Sequence, residues 1–151
     1  MRHIWTVVCK HAVIDKDTNL ISLLDVLEEI TIFDKPKPGG LVNFPIEFMS
    51  LWIRDDLSKP CKGIYRMRYI KPSGENISIG PEIGVDLSEF ERSRNKLSFQ
   101  GVRVDQGGEI NFIIEVKTED LNWLEIAKIP IKFNFIEREK QPQVNSDIPE
   151  N

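Results

Sequence analysis

A chain of 151 residues with 40% hydrophobic and 29% charged residues is long enough to bury its own core and too apolar for general disorder. The formal net charge of -4 gives no broad positive field for nucleic acid or anionic lipid, so neither is expected as a partner. Two cysteines, Cys9 and Cys61, are too few for a disulfide scaffold and no apolar run approaches the ~18 residues of a membrane helix, so a cytoplasmic protein with reduced thiols is expected.

Residues 2–14 are rich in β-branched and aromatic side chains, apolar on both alternations in the middle, and predict an interior strand. Lys10 and His11 interrupt this stretch before a leader-peptide core could develop. The polar run Asp15-Lys16-Asp17-Thr18-Asn19 breaks it, and residues 20–33 form a second apolar stretch, which makes a hairpin the economical reading. Ser22-Leu23-Leu24-Asp25 has capping-box form, so residues 22–30 suit either a short helix or a strand. Ile30-Thr31-Ile32-Phe33 favours the strand, bulged near Asp25.

Pro36, Pro38, Gly39 and Gly40 mark a loop before a third strand over residues 41–54. Residues 64–70 alternate cleanly, with Tyr65, Met67 and Tyr69 on one face and Arg66 and Arg68 on a wet one. After a turn at residues 72–75, a strand over residues 76–87 is broken by Gly80, Pro81 and Gly84. A second capping-box pattern, Asp86-Leu87-Ser88-Glu89, predicts at most one short connecting helix near residues 86–94. Strands over 97–104, 110–118 and 123–136 follow, and Asp105–Glu109 resembles a hairpin loop. Pro130 cannot donate to a ladder, so the last strand is expected to be an edge or to be bulged there.

These signals predict an all-β fold, an antiparallel β-sandwich of about seven or eight strands. One domain over 1–136 and a polar, disordered tail over 137–151 are expected. The layout Trp5-Thr6-Val7-Val8-Cys9, then Asp15-x-Asp17-Thr18-Asn19-x-x-Ser22-Leu23 and Val26-x-Glu28, resembles an uncharacterised prokaryotic family of small β-sandwich proteins known only as a domain of unknown function. The resemblance covers roughly residues 1–136 and implies a fold without implying an activity or a set of site residues.

Asp15, Asp17 and Asn19 match the first side-chain positions of an EF-hand loop, but Leu20 stands where Gly is required and Val26 where a bidentate Glu is required. The stretch therefore reads as a hairpin bend. His3, Cys9 and His11 share one alternation, yet an extended strand separates the two histidines by about 20 Å, too far for one zinc ion. Asp25 and Glu29 would share a strand face with Glu28 opposite, which suits a solvated sheet rather than an acid and base pair. No nucleophile elbow and no phosphate-cradling glycine loop is present, and no cofactor is expected.

Two surface features remain. Arg66 and Arg68, with Lys71 close in sequence, could contact an anion, although Tyr65 and Tyr69 lie on the opposite face and cannot complete a stacking platform. Lys128, Pro130 and Lys132 mark the last strand as a guarded edge suited to a protein partner or a second copy. The expected function is a non-enzymatic binding or structural module, the alternative being a small hydrolase or ligand-binding enzyme whose site carries no sequence motif.

Overall fold

A computed structural model of the protein describes residues 1–33, 37, 40–117 and 120–137. Nine strands are present among them: β1 (Arg2–Ile14), β2 (Ile21–Val26), β3 (Glu29–Phe33), β4 (Leu41–Ile53), β5 (Lys62–Ile70), β6 (Asn76–Asp86), β7 (Arg92–Arg103), β8 (Gly108–Lys117) and β9 (Trp123–Ile136). They form a β-sandwich of a four-stranded sheet, β2-β1-β4-β7, and a five-stranded sheet, β3-β9-β8-β5-β6. The described residues contain no helix. Most of the expected loop at Pro36–Gly40 and the tail beyond Glu137 lie outside the described residues.

Alternation explains the inner faces. Phe48 and Trp52 of β4 meet Tyr65, Met67 and Tyr69 of β5 and Ile110, Phe112 and Ile114 of β8, all essentially without exposure. The rings pack edge to face or tilted, with Phe48 and Phe112 centroids 5.0 Å apart and Trp52 and Tyr65 centroids 4.8 Å apart, which joins the two sheets. The Tyr69 hydroxyl accepts the Arg103 N–H at 3.1 Å and donates to the Arg103 carbonyl at 3.3 Å, tying β5 to β7 across the sandwich. Gly101 is required where β7 approaches β4, because a Cβ there would lie 2.2 Å from the Val42 carbonyl oxygen.

The stretch 20–33 is two strands rather than one bulged strand. β2 pairs antiparallel with β1 in the first sheet, and β3 pairs parallel with β9 in the second. Asp25, at φ 53°, turns the backbone into the left-handed region immediately before the transfer. The Leu27 N–H still bonds the Val8 carbonyl at 2.8 Å, while the Glu28 carbonyl already accepts the Lys132 N–H at 3.0 Å. Leu27 fills the core between those two bonds. Because the chain keeps its direction while changing sheets, β3 arrives parallel to β9, the one parallel pair in an otherwise antiparallel set among the described strands.

Two further expectations need correction. Residues 87–91 form a bent connector and no helix: Asp86 accepts the Ser88 N–H at 2.9 Å in an Asx-type turn, and Leu87 is buried with its N–H on the Cys61 carbonyl. The capping residues satisfy a turn. Asp105–Glu109 joins strands of different sheets, so it is not a hairpin loop. A buried Lys71 holds its position, donating to Asp105 at 2.7 Å and to Glu75 at 2.9 Å.

The β1–β2 hairpin curls over the outer face of the first sheet. Asp15 accepts the N–H groups of Asp17 and Thr18, and the carbonyl and side-chain oxygens of Asn19 accept Arg94 of β7 at 2.9 and 2.7 Å. Glu47 accepts the Ala12 N–H at 2.6 Å, and beneath it Cys9, Ala12 and Met49 form a small second core with Trp5 and Leu23. Two substitutions test the transfer point. Leu27→Ala should cost about 2–5 kcal/mol, since it empties a core position, whereas Leu24→Ala on the exposed flank should stay within about 0.5 kcal/mol. Urea titration of both variants measures the contrast.

Candidate functional site

The transfer at Leu27 and Glu28 leaves a particular surface. β9 is a 14-residue strand, and the five-residue β3 pairs with it only from Lys132 to Ile136. No described strand covers the remaining edge from Trp123 to Ile131. Among the described residues β9 is therefore an interior strand in its last third and an edge before it, so of the two expectations for Pro130, edge or bulge, the edge is what its position shows.

Backbone direction along this edge follows from one bond. The Lys132 N–H points away from β8, toward Glu28, and N–H groups alternate along a strand, so the nitrogens of Pro130 and Lys128 point the same way. Pro130 thus costs no bond to β8, where it faces Asn111. The bulge lies elsewhere: Ile114 faces Ala127 while Glu115 faces Glu125, which makes Ile126 an extra residue. Beyond the bulge the outward set continues at Glu125 and Trp123.

The three residues expected as a partner contact fall into two groups. Lys128 and Pro130 are exposed on the uncovered part. Lys132 lies where β3 pairs, its amine 3.7 Å from Glu29, which is also bonded to Asn134. A groove of about 490 Å³ runs beside Pro130, lined by Thr6, Val8, Val26, Leu27 and Ile129.

On the outer face of the same sheet, Arg66 and Arg68 converge on Glu115 at 2.7 and 2.8 Å, and Arg68 reaches Glu125 at 3.3 Å. The Arg66 guanidinium also stacks over Trp123, 4.1 Å from the ring centroid. Burial opposes ionisation of Glu115, but hydrogen bonds from Arg68 and Arg66 outweigh it and hold the carboxyl below the ordinary range. The two arginines expected to meet an anion already have one. Lys71 is likewise engaged, with Glu75 and Asp105. Sequence reading missed Glu115 and Glu125, which only strand register places opposite the arginines.

A shallow cleft of about 660 Å³ lies at the far end of this face, walled by Ile64, Lys117 and Leu121 over a bare Gly84. Its charged rim is spent internally, since Lys62 and Asp86 bond at 2.7 Å and Lys117 lies 3.7 Å from Glu82. The Lys62 partnership and the Ser88 N–H hold the Asp86 carboxyl at about 2.

The remaining sequence candidates are dispersed. His3 bonds the Thr6 hydroxyl at 2.8 Å, Cys9 is buried with its thiol 3.8 Å from the Glu47 carbonyl, and His11 is exposed. Asp25 pairs with Lys10 at 3.1 Å, Glu29 with Lys132, and Glu28 lines the groove. Among the described residues no group of three or more His, Cys, Asp or Glu is placed to hold a metal ion, and no helix is long and apolar enough to cross a membrane.

No family model and no curated protein matches the chain. Among solved structures it is similar to a family 123 glycoside hydrolase from Clostridium perfringens, studied for glycolipid glycan hydrolysis, with 14% identity and a TM-score of 0.30. The match covers 74% of this chain and 23% of that one, so the chain spans about a quarter of the hydrolase. No activity transfers at that similarity.

Glu115 gives a pH test. Its folded pKa is depressed, so its contribution is present above the unfolded value near 4.5 and is lost as pH falls through the folded value. Glu115→Gln should cost about 1–3 kcal/mol at pH 7, where it removes the carboxylate that the two arginines share, and should flatten the loss of stability below pH 4.5. Chemical denaturation at pH 7 and at stepped acid pH reads both effects.

Proposed function

We propose that the protein is a non-enzymatic binding module that accepts an extended partner strand on the uncovered part of β9. The observation that carries the reading is the pairing of β3 with Lys132–Ile136 alone, which leaves the edge from Trp123 to Ile131 without a strand among the described residues. Strand addition supplies main-chain hydrogen bonds, and the flanking side chains set which partner is accepted. Here those side chains are Glu125 and Lys128, while Pro130 ends the usable edge by withholding its N–H.

Two of the outermost strands, β6 and β7, are less suited. β6 is interrupted by Gly80 and Pro81, with a register shift against β5 between Tyr65 and Met67. β7 carries Arg92, Arg94 and Arg103, and Arg94 is committed to the hairpin tip. The cleft at Gly84 would favour the ligand-binding enzyme, but Lys62 and Asp86 bond to each other rather than converge on open space. Two free thiols support a reducing compartment such as the cytoplasm.

The experiment is capture of partners by the tagged full chain in its native cell, compared with Lys128→Pro. That substitution removes an outward N–H without touching the β8 ladder. Loss of partners in Lys128→Pro, with Lys132→Glu retaining them, is the expected result. An unchanged partner set in Lys128→Pro would overturn the reading.

A further inference from the structure

We infer that the partner strand is β9 of a second copy of this chain, paired antiparallel about a two-fold axis between Ile126 and Ala127. This rests on the reading of β9 as the contact edge and names its occupant. The argument is one of register. Outward-directed backbone falls at Trp123, Glu125, Lys128 and Pro130, because the extra residue at Ile126 shifts the alternation by one.

Turning this edge end for end maps Glu125 onto Lys128 and Trp123 onto Pro130, so the outward set is carried onto itself. A regular strand pairs with itself in many registers, all related by steps of two residues. The bulge removes that freedom, since only this axis superposes a bulge on a bulge and keeps outward residues opposite outward residues. Pairing would then form roughly six main-chain hydrogen bonds, two at each Glu125 and Lys128 pair and one from each Trp123 N–H to the facing Pro130 carbonyl. The missing Pro130 N–H falls at the two ends of the ladder.

Charge agrees with register. Glu125 and Lys128 both point to the outer face, as their neighbours Glu115 and Ile113 do, and in the pair each glutamate would face a lysine of the other copy. Lys128 forms no ion pair among the described residues, and Glu125 is held by Arg68 at 3.3 Å, so the acidic half is positioned in advance. The surface is isologous, as a closed dimer requires. The product is one continuous sheet of ten strands built from two copies of the five-stranded sheet.

Sedimentation of the purified full chain up to roughly 500 µM tests this, with a dissociation constant on the order of 10 µM expected for so small a contact. Lys128→Glu places glutamate opposite glutamate twice and should weaken the dimer roughly tenfold or more, and Glu125→Lys should do the same with lysines. An equal mixture of the two variants restores opposite charges at both pairs and should recover a heterodimer. Far-ultraviolet circular dichroism confirms folding, and if Glu125→Lys does not fold, Lys128→Glu alone decides. A monomer at all concentrations overturns the self-pairing, and so does a dimer that Lys128→Glu leaves unchanged. The edge reading itself falls only if Lys128→Pro also leaves the captured partners unchanged, so the two failures are distinguishable.

Discussion

The structure depends on two hydrogen bonds made by adjacent residues to different sheets. Leu27 gives its N–H to Val8 in one sheet, and Glu28 gives its carbonyl to Lys132 in the other. A single stretch of chain thereby covers part of the flank of both sheets and all of neither. The left-handed turn at Asp25 and the burial of Leu27 fix where the transfer happens. The extent of the open β9 edge follows from that position, because a transfer nearer Phe33 would have left β9 open along nearly all its length.

The arginine and glutamate network on the outer face serves the same flank. Arg66 and Arg68 brace Glu115 at the residue where the bulge opens, and Arg68 extends the brace to Glu125 on the bulged strand. Bulges bend and loosen a strand. Here the loosened segment is pinned from β5 through side chains, which keeps the outward backbone groups at a defined spacing.

Much of the fold was legible in the sequence because one face of most strands is dry. The alternation of Tyr65, Met67 and Tyr69 against Arg66 and Arg68 reports burial directly, and Phe48 and Trp52 do the same in β4. Residues 20–33 were not legible in this way. Both halves are strand-forming, and the change of sheet rests on a backbone angle at Asp25 and on a partner, Lys132, far along the chain. The connector at residues 87–91 misled for a related reason, since Asp86 and Ser88 satisfy a turn with the same groups that would cap a helix. Pro130 did announce an edge, but its extent required knowing where β3 stops. Glu115 was invisible as a partner of the arginines because strand order, and not sequence spacing, places it opposite them.

The parallel pairing of β3 with β9 bears on how the chain reaches its native state during synthesis. β1 and β2 can zip as soon as the hairpin has left the ribosome, for their contacts are local. β3 is made directly afterwards yet has no neighbour in its own sheet until Lys132–Ile136 appears, roughly a hundred residues later. Until then Ile30, destined for the core, sits in a segment without a ladder and is open to mispairing. Closure of this flank therefore has to wait for β9, and the length of edge left open on β9 is set by where along it the short β3 docks.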